Sequence, residues 1–103
     1  MPYKIKTLPS FRRSVFDADS NLYALSPKAA DRYFDDYKNK IKLIQDNPHM
    51  FQVFAGDPYF RSAPLVYDYR LFYHVDDINK VVILHRVIHG AMDLANRLQM
   101  EEE

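Results

Sequence analysis

The sequence predicts an α+β domain with the element order β-α-α-β-β-β. Three observations predict it. Lys4 and Lys6 alternate with Tyr3 and Ile5 at the start, the period of a strand. Two stretches of helical period follow and meet at Ser26-Pro27. From Arg61 onward the pattern returns to alternation, broken by turn residues. A helical hairpin and a sheet each carry one apolar face that neither can bury alone. The hairpin is therefore expected to cover one face of a mostly antiparallel sheet, with the other face partly open.

The first strand is expected over about residues 2–7, ended by Pro9, which lacks a ladder N–H. The first helix is expected over 10–25. Phe11, Val15, Ala18, Leu22 and Leu25 recur at spacings of four and three, one face of a helix. Ser10 is its expected N-cap, and Asp19-Ser20-Asn21 a place where it bends. Ser26-Pro27 starts the second helix, with a serine cap and a proline at the first helical position. Its stripe is Ala30, Tyr33, Phe34, Tyr37, Ile41 and Ile44, and Asn47-Pro48 ends it. Lys38, Lys40 and Lys42 are expected on its solvated side. So short a link makes the two helices antiparallel.

Residues 49–60 contain Gly56, Asp57 and Pro58 and are expected to form a loop. A strand over 61–66 holds Pro64, which suits an edge or a bulge. Tyr69, Leu71, Tyr73 and Val75 alternate with Arg70, Phe72 and His74, and residues 76–80 have turn chemistry. Residues 81–88 are nearly all apolar apart from His85 and Arg86, as in a central strand covered on both faces. Gly90 ends it, and residues 93–100 are expected to form a short C-terminal helix.

Residues 1–103 are enough for one domain. There is no cysteine, which removes disulfides, thiolate metal sites and a cysteine nucleophile together. The first ten residues hold no apolar signal core and no stretch is long enough to span a membrane. A cytoplasmic location and no membrane partner are expected. Net charge is zero, from 14 basic and 14 acidic residues. A freely diffusing nucleic-acid binder usually carries a basic excess. The three glutamates 101–103 account for the acidity of the second half, so the rest of the chain is modestly basic.

There is no phosphate-binding glycine loop, dinucleotide fingerprint or helical zinc-protease motif. No cofactor is expected. His85 and His89 would share a face of one strand about 13 Å apart, too far to hold one ion between them, so no metal is expected. If Val75 pairs with Val81, Arg70 lies directly opposite Arg86 and Tyr67 opposite His89. Paired like charges would then make an anion site on that face. A one-residue slip in register sends the two arginines to opposite faces. His89, at the end of the last strand, is a candidate acid or base, or a capping residue.

The order Tyr69-Arg70-Leu71-Phe72-Tyr73, a turn with Asp76-Asp77, then residues 82–90 (VILHRVIHG) and Asp93 resembles the C-terminal half of RelE/ParE toxins. These are the toxin halves of bacterial type II toxin–antitoxin pairs. The opening strand, the helical hairpin and Asn47-Pro48 fit the same pattern. The resemblance implies a β-α-α-β-β-β fold and a cognate antitoxin, with which the chain forms a hetero-oligomer. It also implies one of two mechanisms. RelE-like members cut messenger RNA in the ribosome, whereas ParE-like members inhibit DNA gyrase by binding.

For the ribonuclease, the resemblance assigns Arg70 to the scissile phosphate, Arg61 to a basic position on the preceding strand, and His89 to acid/base work. Such members commonly place arginine or tyrosine after His89, where this chain has Gly90. For the gyrase inhibitor, His89-Gly90 and Asp93 resemble the ending H-G-x-R-D, with Met92 in place of the arginine. Arg70, Arg86 and Asp93 are then the candidates for partner or anion contact. The ParE-like mechanism is favoured, and the missing arginine leaves a third class, an antitoxin-binding member without toxicity.

Overall fold

The computed structural model describes residues 3–90. The elements are β1 (Lys4–Thr7), α1 (Pro9–Leu25), α2 (Pro27–Asp46), β2 (Arg61–Pro64), β3 (Tyr69–Asp76) and β4 (Val81–His89). The strands form one sheet in the order β1-β4-β3-β2, with β1 parallel to β4 and the other pairings antiparallel. This is the expected α+β order. The helix expected at the C-terminus, and Asp93 with it, lie outside the described residues.

Several local expectations change. Pro9 does not merely end β1; it opens α1, where its missing N–H is harmless. Leu8 takes the N-cap position without a side-chain cap, and Ser10 is drawn inward instead. Asp19-Ser20-Asn21 does not break α1, which runs continuously to Leu25. Its buried face, Phe11, Ala18 and Leu22, overrides the weak local propensity. Leu25 drops out of that face and is 83 % exposed at the helix end. Ser26 is the single residue between the helices. Its N–H donates to Leu22 O, closing α1, and its hydroxyl accepts from Ala29 N, opening α2. Phe34 also leaves the expected stripe. It stays exposed, edge-on to Tyr37, with Lys38 Nζ 4.9 Å above its ring.

The main core lies between the helices and one sheet face. Phe11, Leu22, Tyr33 and Ile44 meet Ala63, Leu71, Tyr73, Val82, Leu84 and Val87. The opposite face is not simply open. The loop after α2 folds across its middle, so that Phe54 and Phe60 pack on Phe72 and Ile88 in a second small cluster. β2 is an edge strand and Pro64 is its last residue, as a proline in a strand requires. Lys40 is not merely solvated. Its ammonium donates to Pro64 O at 2.6 Å and pairs with Asp36 at 3.3 Å. The other Asp36 oxygen accepts from Val66 N at 2.9 Å. One turn of α2 thus fastens the end of β2 and the turn that follows it.

Candidate functional site

A β-bulge decides what the end of β4 presents. Tyr73 pairs with Leu84 but Phe72 pairs with Arg86, so His85 is an extra residue on β4. Leu84 and Val87 face the helices. His85 turns to the opposite face, edge-on to Phe60 at 4.9 Å and Tyr59 at 5.7 Å. Beyond the bulge His89 returns to the helix side, opposite Tyr69, with ring centroids 5.0 Å apart. The two histidines expected on one face are therefore on opposite faces. Two consecutive polar residues inside an apolar strand, His85-Arg86, are the signal that a bulge was there to be found.

The same shift corrects the arginine pairing. Val75 pairs with Val82, not Val81, and the bulge adds a second step. Arg70 lies opposite Ile88, and Arg86 opposite Phe72. The two arginines stay on the face away from the helices but sit diagonally, about 7–8 Å apart at the backbone for such neighbours. Arg70 is exposed and donates to Ser62 Oγ at 3.3 Å. Arg61 pairs with Tyr73, which places it on the helix side. There its guanidinium donates to Phe51 O at 2.8 Å. Arg61, Arg70 and His89 thus do not converge: Arg70 is separated from the other two by the sheet.

β1 stops at Thr7, opposite Leu84, so the outer edge of β4 beyond that point has no strand beside it. α1 fills the gap with hydroxyls. Ser10 Oγ donates to His85 O at 2.9 Å, and Ser14 Oγ accepts from Val87 N at 2.9 Å. Further along, helix and strand part to leave a groove of about 400 Å³. Arg13, Asp17, Asn21, Tyr69, Arg86 and His89 are among its lining residues. Its charge is mixed.

At the rim of the sheet the turn between β2 and β3 leans over Gly90. Gly90 N donates to Asp68 O at 2.6 Å. A Cβ on Gly90 would lie 2.8 and 2.9 Å from the two carboxylate oxygens of Asp68. A side chain could start there only if that carboxylate moved. At the opposite end, Asp77 accepts from the Tyr3 hydroxyl at 2.6 Å and binds His49 Nε2 at 3.0 Å. The Tyr3 hydroxyl and His49 hold the Asp77 carboxyl below the usual range, and the same bond raises the Tyr3 phenol. Because a carboxylate only accepts, His49 Nε2 carries the proton in this contact.

Among the solved structures that share the fold, two are each 20 % identical to this chain. One is the toxin–antitoxin complex RelBE2 from Mycobacterium tuberculosis, with a TM-score of 0.56, covering 86 % of this chain and 99 % of that one. The other is a mutant of the E. coli toxin RelE in the free state, with a TM-score of 0.60, covering 98 % and 94 %. No curated protein sequence matches. The chain thus has the fold of these two proteins. Residues 5–94 match the family described as ParE toxin of type II toxin-antitoxin system, parDE. The chain belongs to that family.

Proposed function

We propose that this toxin acts by binding, as a ParE-like inhibitor of DNA gyrase, and that a cognate antitoxin holds it in check in the bacterial cytoplasm. The observation that carries the reading is the contact between Asp68 and Gly90. Ribonucleases of the superfamily commonly place a cation or an aromatic after the strand-end residue. Here that position has no side chain, and a carboxylate occupies the space beside it. Negative charge at that point opposes a scissile phosphate and the charge that builds on it in the transition state. Arg61, Arg70 and His89 are divided between the two faces of the sheet, which supports the same reading.

An antitoxin partner is supported by family membership and by the large apolar side chains exposed on the helical hairpin, Phe16, Tyr23, Leu25, Phe34 and Leu43. The test is to induce the chain in a bacterial host and follow events in time. DNA breaks and filamentation are expected before protein synthesis falls, and purified chain is expected to block supercoiling by gyrase. Early collapse of translation, with transcripts cut at ribosome-bound codons, would instead establish the ribonuclease.

A further inference from the structure

The turn joining β2 to β3 is held in a backbone conformation that its residues resist. Tyr67 has φ 60° and ψ 33°, and Asp68 has φ 64°. Two consecutive left-handed residues make a type I′ hairpin turn, which Asn-Gly or Asp-Gly fills easily. Aspartate tolerates the left-handed region through its short polar side chain, but a bulky tyrosine does not. Such strain persists only where the surroundings over-determine it.

Here they do. Leu65 N donates to Tyr69 O at 2.8 Å, Tyr69 N to Val66 O, Val66 N to Asp36, and Gly90 N to Asp68 O. The turn is clamped from its own hairpin, from α2 and from the end of β4. The tyrosine ring lies at the surface. It is 43 % exposed and belongs to neither apolar cluster. A residue that strains the backbone while presenting its side chain at the surface is kept for something outside the fold.

We infer that Tyr67 and Asp68 form a rigid contact tip that grips the toxin's protein target. The inference rests on the proposed binding mechanism and names its point of attachment. The tip offers a ring with a hydroxyl, the side chain most enriched at binding hot spots after tryptophan and arginine. Beside it stands a carboxylate. The complementary surface is a shallow apolar recess flanked by an N–H or cationic donor. Nucleic acid is the wrong partner, because the Asp68 carboxylate would face phosphates. The clamped backbone means that little ordering is needed on binding.

Tyr67→Asn and Tyr67→Gly test the inference, because both relieve the strain. Each is expected to raise the unfolding midpoint and to lower growth arrest on induction by ~10-fold or more, the loss of one hot-spot contact. Tyr67→Phe keeps ring and strain, and should retain most of the arrest. Stabilised variants that arrest growth as strongly as the original chain would overturn the contact tip. So would variants that are destabilised, since the tyrosine would then be structural. Supercoiling by purified gyrase, measured alongside, separates this outcome from the target assignment. If the original chain arrests growth without touching gyrase while Tyr67→Asn does not arrest it, the tip stands and the gyrase assignment falls. If Tyr67→Asn abolishes cleavage of ribosome-bound messenger, the tip contacts nucleic acid and the inference fails.

Discussion

Tyr73 and Tyr33 are both fully buried in the same core, yet their hydroxyls are treated differently. Tyr73 donates to Pro48 O at 2.8 Å, and burial pushes its phenol up to about 12. Tyr33 is raised further by burial, and its hydroxyl has no hydrogen-bond partner among the described residues. Tyr73→Phe should therefore destabilise the fold by about 1–2 kcal/mol, since it strands a buried carbonyl. Tyr33→Phe should be neutral or stabilising, since it removes a buried polar group that nothing satisfies. Urea unfolding of the two variants checks the contrast, and equal losses would refute it. The contact among Tyr3, Asp77 and His49 makes a pH prediction. Asp77 is depressed in the folded state, first by the Tyr3 hydroxyl and then by His49. Its contribution is complete above the ordinary carboxylate pKa of ~4 and is lost as pH falls through the lower folded value. Tyr3 is raised by the same bond, so its share is complete below ~10 and is lost as pH rises through the folded value. Asp77→Asn should flatten the Asp77 share of the acid limb in a plot of unfolding temperature against pH. An unchanged acid limb would assign that sensitivity to other groups.

Elements fail or hold at their edges, and here two helices supply what the sheet edges lack. Asp36 and Lys40 fasten the end of β2 and the turn after it, through Val66 N and Pro64 O. Asp36→Ala should cost about 1–2 kcal/mol and raise amide exchange at Val66 well before global unfolding. Exchange at Val66 that matches the original chain would show the contact to be idle. This arrangement was hidden in the sequence because Lys38, Lys40 and Lys42 look alike, and only tertiary contact separates Lys40 from its neighbours. The helical hairpin itself was legible, because Ser26-Pro27 is cap chemistry that acts within a few residues. The edge position of β2 was legible for a similar reason, since Pro64 cannot join a ladder on both sides. The bulge at His85 is not legible in the same way, because strand register is set by cross-strand packing against Phe72 and Tyr73 and leaves only an indirect trace in β4. That single residue decides which face Arg86 and His89 occupy, so the candidate site was far less legible than the fold. The Asp68–Gly90 contact was also out of reach. Gly90 could be recognised as an unusual residue at its position, but the carboxylate beside it comes from a turn more than twenty residues earlier.

At the scale of the molecule the two layers leave different surfaces for partners. The middle of the sheet's outer face is covered by Phe54 and Phe60 of the loop after α2. The helical hairpin has no such cover among the described residues, and Phe16 is 68 % exposed there. An antitoxin that shields apolar surface therefore gains more against the helices than against the sheet. Phe16 and Tyr23 are seven positions apart on α1, two turns along one side, so a short apolar segment of a partner can meet both. Placing a charge at Phe16 would leave an unpaired ion at the centre of that contact while disturbing no buried group of this chain. Phe16→Glu is expected to weaken antitoxin binding by ~10-fold or more with the unfolding temperature little changed. Ile78 gives the control. It is 92 % exposed, but at the turn between β3 and β4, so Ile78→Glu should leave antitoxin binding intact. Titration calorimetry with the product of an adjacent short reading frame measures both. Equal affinities for the original chain and Phe16→Glu would move the antitoxin off α1, and a loss confined to Ile78→Glu would move it to the far end of the sheet.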